Sequence, residues 1–212
     1  MAKLKDSLMN MFLSLTGICL VVGALLGWVS DVTAEPIAQA EKAKQENAIK
    51  AVTPEFDTLG EEVKTTSENG EAASFFAVSK DGQQVGAAIQ VTSKKAFSGS
   101  ITIMFGFDVE GTVTGFNVLK TAETPGLGSK IPQWFAEGGK GNVIGKNPTK
   151  NNLTVSKDGG EVDAITAATI SSRAFLDALA QAHGVHKANT TTATVVEVDE
   201  EVVEVAQEVV NQ

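Results

Sequence analysis

The chain has 212 residues and a formal net charge of −9 with no cluster of Lys or Arg. This excludes a general nucleic-acid binder, because phosphate backbones are held chiefly by clustered cations. One cysteine, Cys19, excludes an intramolecular disulfide framework, and two histidines, His183 and His186, leave little for a transition-metal centre or a Ser/His/Asp triad, so redox chemistry here requires a bound organic cofactor.

In chain order, residues 1–7 hold Lys3 and Lys5, and residues 8–30 form a mostly apolar run without a single charge. Roughly 20 such residues cross a bilayer as a helix. Trp28 sits near one end, where an aromatic ring suits headgroup depth, and Asp31 and Glu35 follow. The positive-inside rule then predicts a cytoplasmic N-terminus, one pass through the inner membrane, and the bulk of the chain on the periplasmic side. A cleaved signal peptide competes, since Val32-Thr33-Ala34 has suitably small residues. The run exceeds the ~7–15 residues of a signal core, which favours a retained anchor. Cys19, mid-run after Ile18, reads as a small membrane-buried residue rather than a lipidation site.

Residues 31–73 read as a connecting helix and loop. Pro36 is placed for a first helical turn, Lys42, Glu46 and Lys50 have i,i+4 spacing, and the stretch from Thr53 to Ala73 is acidic and loop-rich.

A folded domain is expected over 74–187. Phe75 to Val78 and Val85 to Val91 flank Lys80-Asp81-Gly82-Gln83, a strong hairpin signal. Period-2 spacing predicts one face for Val85, Ala87, Ile89 and Val91, and likewise for Ile101, Ile103, Phe105 and Phe107. Glu110-Gly111 turns the chain into a further strand over Thr112 to Leu119, giving an antiparallel sheet. A helix from about Ile170 to His183, stopped at Gly184, presents Ala174, Phe175, Ala178, Leu179 and Ala182 on one face for docking. Residues 188–212 read as a solvated acidic tail. The fold class is α+β: an antiparallel sheet with packed helices on one N-terminal transmembrane helix.

Two segments carry the chemistry. Asp163-Ala-Ile-Thr-Ala-Ala-Thr-Ile-Ser-Ser172 is rich in small and hydroxyl-bearing residues directly before the last helix. Thr169 falls at its start, where free N–H groups and the dipole favour an anion by ~0.3–1 kcal/mol. Plain helix capping by Thr or Ser explains the same pattern. Glu123-Thr-Pro-Gly-Leu-Gly-Ser-Lys130 predicts a tight turn at Pro125-Gly126 and a close backbone approach at Gly128, or simply a connecting loop. Trp134 and Phe135, just beyond, suit the core or the face of a flat ring.

Thr166-Ala-Ala-Thr-Ile-Ser-Ser-Arg173 resembles the (S/T)GAT-type flavinylation motif of the FMN-binding domain family, and Glu123-Thr-Pro-Gly-Leu-Gly128 resembles that family's second hallmark in the Rnf and sodium-pumping NADH:quinone reductase complexes. Phe97-Ser-Gly-Ser-Ile-Thr-Ile and Val162-Asp-Ala-Ile fit the same pattern, which covers about Ser93 to Gly184. The usual Gly of the first motif is Ala167 here, a small change unless that position needs φ > 0.

The resemblance, nearest to the G subunit of Rnf-type electron transport complexes, implies FMN held by a phosphoester on Thr169. Asp163, Thr166, Ala167, Ala168 and Ser171 would surround it from one segment, and Glu123, Thr124, Gly126, Leu127, Gly128, Lys130 and Trp134 from the other. It implies an electron-carrying component of a membrane-bound ion-translocating ferredoxin:NAD oxidoreductase complex, with other membrane subunits as partners. A threonine hydroxyl is a poor nucleophile without a base, and the family picture supplies a separate flavin transferase with FAD as donor. Lys130 is expected to favour a reduced, anionic flavin by its charge. Two alternatives stand: the C subunit of the sodium-pumping NADH:quinone reductase, and a cofactor-free anchored binding module. A hydrolase is disfavoured, with no triad, metal cluster or paired-carboxylate motif.

Overall fold

The computed structural model describes the backbone of residues 8–210 and the side chains of residues 8–190. The expected cytoplasmic segment 1–7 lies outside the described residues, as do the side chains of the acidic tail beyond residue 190.

Two compact units partition the chain, Met1–Gln45 and Glu46–Gln212. Helix α1, Leu8–Val52, supplies the first unit and opens the second. It is long and apolar enough to cross a membrane, the one such helix among the described residues, and residues 8–44 are exposed throughout. Pro36 does not begin a separate connecting helix; it sits inside α1. Proline removes one i→i−4 hydrogen bond, and the Ala, Glu, Lys and Gln residues that follow are strong helix formers that carry the helix past that loss.

The second unit is built on six antiparallel strands: β1 Thr58–Leu59, β2 Val63–Thr66, β3 Ala72–Lys80, β4 Gln83–Ala96, β5 Gly99–Asp108 and β6 Val113–Thr121. The order is β1-β3-β4-β5-β6, with β2 also pairing β3. The stretch after Thr53 is therefore not only loop: β1 and β2 share the outer edge of β3, Leu59 opposite Val78 and Val63 opposite Phe75. The β3–β4 turn is as expected, and both its central residues take positive φ, Asp81 at 53° and Gly82 at 78°, which fits the right-handed twist of a two-residue hairpin.

The sheet buries both faces. On one, Ala87, Ile89, Val91, Ile101, Ile103, Phe105 and Phe107 pack against Phe175, Ala178, Leu179 and Ala182 of helix α3, Thr169–Val210. Phe135 stacks on Phe175 with ring centroids 4.3 Å apart, and Phe105 lies 5.5 Å from the same ring. Such pairs are worth about 0.5–1.5 kcal/mol beyond burial. On the other face, Phe76, Val78, Ala88 and Met104 pack against Ala48, Ile49 and Val52 at the end of α1. The Thr114 hydroxyl donates to the Val52 carbonyl at 2.6 Å. A Cβ at Gly106 would collide with that same carbonyl oxygen, so glycine there admits the helix end.

Val85 departs from its expected face. A register shift between Val78 and Ser79 leaves Gly86 opposite Val78 and Gln84 opposite Ser79. Val85 is the extra residue of this bulge, and it joins the α1 side of the sheet rather than Ala87, Ile89 and Val91. Nor does the last helix stop at Gly184. Helix α3 continues to Val210, because Val185 and His186 still pack on the sheet domain and a helical glycine costs only about 1 kcal/mol.

Candidate functional site

The ends of three segments meet at the start of α3. The β4–β5 turn carries Phe97. The loop after β6 carries Glu123 to Gly128, then a 3-10 turn, Gly128–Lys130, and helix α2, Ile131–Trp134. The third segment runs from Asp163 into α3. Between them lies a cavity of about 310 Å³. From the sequence-predicted set, Glu123, Thr124, Leu127, Ala167, Ala168, Thr169 and Ser171 line it.

Thr124, Pro125, Gly126 and Leu127 form the expected tight turn: the Leu127 N–H donates to the Thr124 carbonyl at 3.1 Å, with Gly126 at φ 78°. Proline before a glycine of positive φ is a type II turn. Gly128 fulfils the expected close approach, since a Cβ there would fall on the Glu123 carboxylate and 2.8 Å from Ser171 Oγ.

Glu123 is the polar hub. Its Oε1 accepts the Phe97 N–H at 2.9 Å and its Oε2 accepts the Ser171 hydroxyl at 2.9 Å. Both carboxylate oxygens thus act as acceptors, one toward each segment. Ser172, fully buried, donates to the Ala168 carbonyl at 3.0 Å, and its oxygen accepts the Ile165 N–H at 2.9 Å. The hydroxyls of Ser171 and Ser172 are thus engaged internally. Thr169, the first residue of α3 and part of the cavity wall, has no hydrogen bond to its hydroxyl among the described residues. The N–H groups of Thr169, Ile170 and Ser171 also lack an acceptor there, as the first turn of a helix must; the Ser172 N–H is the first to be taken, by Ala168.

The remaining predicted residues stand outside the cavity. Asp163 is exposed and accepts the Ser156 hydroxyl at 3.2 Å, while its backbone carbonyl accepts the Trp134 indole N–H at 2.8 Å. Trp134 therefore braces the Asp163 loop from the edge of the core. Thr166 and Lys130 are exposed, neither touching the cavity. Ala167 has φ 64°, so the position occupied by the usual glycine does adopt the left-handed conformation. Arg173 closes the arrangement with two 2.7 Å bonds to Asp158, whose carboxyl it holds below its usual value.

Phe97 and Ile170 also line the cavity and were missed as individual site residues. Phe97 carried a signal: a large aromatic in a Ser-Gly turn, where no strand pattern calls for it. Ile170 carried none, since an apolar residue in a first helical turn is ordinary.

A family model described as FMN-binding domain matches residues 96–184. Among relatives, the chain is similar to the G subunit of the ion-translocating oxidoreductase complex of Yersinia pestis, 33% identical over 174 residues, covering 79% of this chain and 81% of the relative. The Vibrio vulnificus protein of the same name is 31% identical over 175 residues, covering 76% and 80%. The Aliivibrio fischeri protein of that name is 40% identical over 116 residues, and there the match spans about half of each chain, 53% and 54%.

Proposed function

The chain belongs to the G-subunit family of ion-translocating oxidoreductase complexes and contains an FMN-binding domain, and from that premise we propose that it carries electrons within such a membrane complex through FMN esterified to Thr169. The observation that carries the attachment is the selectivity of hydroxyls. Ser171 and Ser172 are engaged in internal hydrogen bonds, Thr166 lies outside the cavity and Thr124 lines it from a β-turn, whereas Thr169 alone of the lining hydroxyls combines an unengaged hydroxyl with a place at the first turn of α3.

The residues present suit the group. A phosphate on Thr169 would lie beside the unpaired N–H groups of the first turn of α3, where the helix dipole favours negative charge. FMN, when bound, supplies the reversible uptake of electrons, which no side chain here offers. The chain's own part is to fix the hydroxyl at a helix start and hold the loop around it. Esterification through the phosphate leaves the ring electronics intact.

Among the described residues no basic side chain hydrogen-bonds to the Thr169 hydroxyl, and the Glu123 carboxylate in the same cavity is taken up by Phe97 and Ser171, which supports a separate flavin transferase, with FAD as donor, as a second partner beside the other membrane subunits. Asp163 and Thr166, exposed beside the cavity, remain accessible to such an enzyme. The apolar run of α1, preceded by Lys3 and Lys5, supports an inner-membrane anchor with the flavin domain on the periplasmic side.

The test is in-gel flavin fluorescence after denaturing electrophoresis of wild type and Thr169→Ala, each produced with a flavin transferase. A fluorescent band in wild type that vanishes in the variant is expected. A dark wild-type band would sink the covalent assignment.

A further inference from the structure

We propose that Phe97, Leu127 and Ile170 form the seat of the flavin's isoalloxazine ring, with Phe97 covering one face; this rests on the attachment to Thr169 proposed above. The three side chains reach one cavity from three separate parts of the chain: the β4–β5 turn, the loop after β6 and the first turn of α3. Each is exposed, at 67%, 38% and 50%. Single apolar residues on a surface are ordinary, but three converging on one concavity are the pattern of a ligand site. The cavity's 310 Å³ falls in the range of about 300–1,000 Å³ that holds ring-sized ligands.

The occupant follows from the tether. Thr169 is in the same wall, so a ring joined to its hydroxyl by a short flexible chain stays at millimolar-scale effective concentration beside the patch. A free aromatic ligand or a partner's side chain would have to outcompete it. The ring is planar and largely apolar, and aromatic faces prefer offset or edge contacts that a side chain such as Phe97 provides.

Phe97 is also held in place for this task. Its N–H is bonded to Glu123 Oε1, and the other oxygen of that carboxylate holds Ser171, two residues after Thr169. The turn bearing the aromatic side chain and the helix bearing the tether are thereby pinned to one group. Glu123 is a positioning residue in this arrangement.

The test uses the full chain in detergent, produced with a flavin transferase, as wild type, Phe97→Ala, Phe97→Trp and Val109→Ala. Val109 is an exposed apolar residue on the β5–β6 turn and serves as control. Gel fluorescence first establishes covalent loading; a dark wild-type band overturns the attachment itself, a result distinct from any change in ring contact. Because the Phe97 side chain is largely exposed, neither substitution threatens the fold. In loaded protein, native flavin fluorescence should drop severalfold in Phe97→Trp and return on denaturation, since an indole in contact with the ring quenches it. Iodide should quench Phe97→Ala about twice as efficiently as wild type, with Val109→Ala unchanged. Native fluorescence of Phe97→Trp equal to wild type overturns the proposal, as does unaltered iodide quenching in Phe97→Ala.

Discussion

The Ser171 hydroxyl and the Glu123 carboxylate meet at 2.9 Å in a place where both side chains are almost fully buried. The bond joins the loop after β6 to the first turn of α3, the two segments in which the two family-like sequence motifs lie. A link between residues 48 positions apart makes the two motifs one structural unit.

Glu123→Ala leaves the Phe97 N–H and the Ser171 hydroxyl without their acceptor. The buried Ser171 hydroxyl left unsatisfied costs roughly 1–3 kcal/mol, while the part-buried Phe97 N–H can turn to water, and each kcal/mol moves Tm by about 2–4 °C in a domain of this size. Glu123→Gln still accepts from Phe97 and donates to Ser171, so it should recover most of the loss. Thermal melts of the three proteins decide it; an unshifted Tm for Glu123→Ala would contradict the hub.

Ala167 holds a left-handed φ of 64°, a conformation that costs an L-residue roughly 1–2 kcal/mol. Glycine has no such steric cost but loses more freedom on folding, so Ala167→Gly should stabilise by about 1 kcal/mol or less and raise Tm by a few degrees. Calorimetry on both proteins checks the sign. A lowered Tm would mean that the methyl group is worth more in contacts than it costs in strain.

His183 and His186 lie on α3 against Phe107, at 5.9 and 5.3 Å between ring centroids. Burial is the main cause holding both imidazoles below their ordinary value of 6.5. Lys187 adds to this for His183 and His183 for His186, while Asp108 opposes it. His186 Nε2 is buried without a partner. The unfolded chain therefore binds more protons, and stability from the neutral imidazoles is complete above pH 6.5 and declines as pH falls toward the lowered folded values. Asp158 does not confuse this window, because its contribution fades only below the carboxylate value of 3.8. Tm should fall from about pH 7.5 to about pH 5.5 in wild type and much less in a His183→Gln, His186→Gln double variant. Equal slopes for the two proteins would rule out the histidines as the source.

Much of the sheet could be read from side-chain alternation. Ile101, Ile103, Phe105 and Phe107 all enter one core because the register shifts between β5 and β6 place their extra residues, Leu119 and Thr114, on β6 and leave the alternation of β5 intact. Val85 failed the same rule because a bulge is a backbone event, and period-2 counting assumes none. Strands β1 and β2 were illegible: they are two and four residues long, mostly exposed, and exist only as partners of β3. Gly184 and Pro36 misled for a common reason, since both are local helix breakers in segments whose neighbours favour helix strongly enough to continue it. At the site, the two segments that wall the cavity were legible because motifs are contiguous. Trp134 as a brace of Asp163 depends on a contact 29 positions away and leaves no local trace.

The final turn of α1 also decides where this chain can be cut. Ala48, Ile49 and Val52 act as a plug on the back of the sheet, and the compact unit begins at Glu46. A soluble fragment starting at Thr53, the first residue after the helix, would uncover Phe76, Val78, Ala88 and Met104 and strip the Thr114 hydroxyl of its acceptor. Starting within the helix, before Ala48, retains the plug and leaves the greasy run behind. The boundary for a water-soluble flavin domain thus lies inside a secondary-structure element, not at its end.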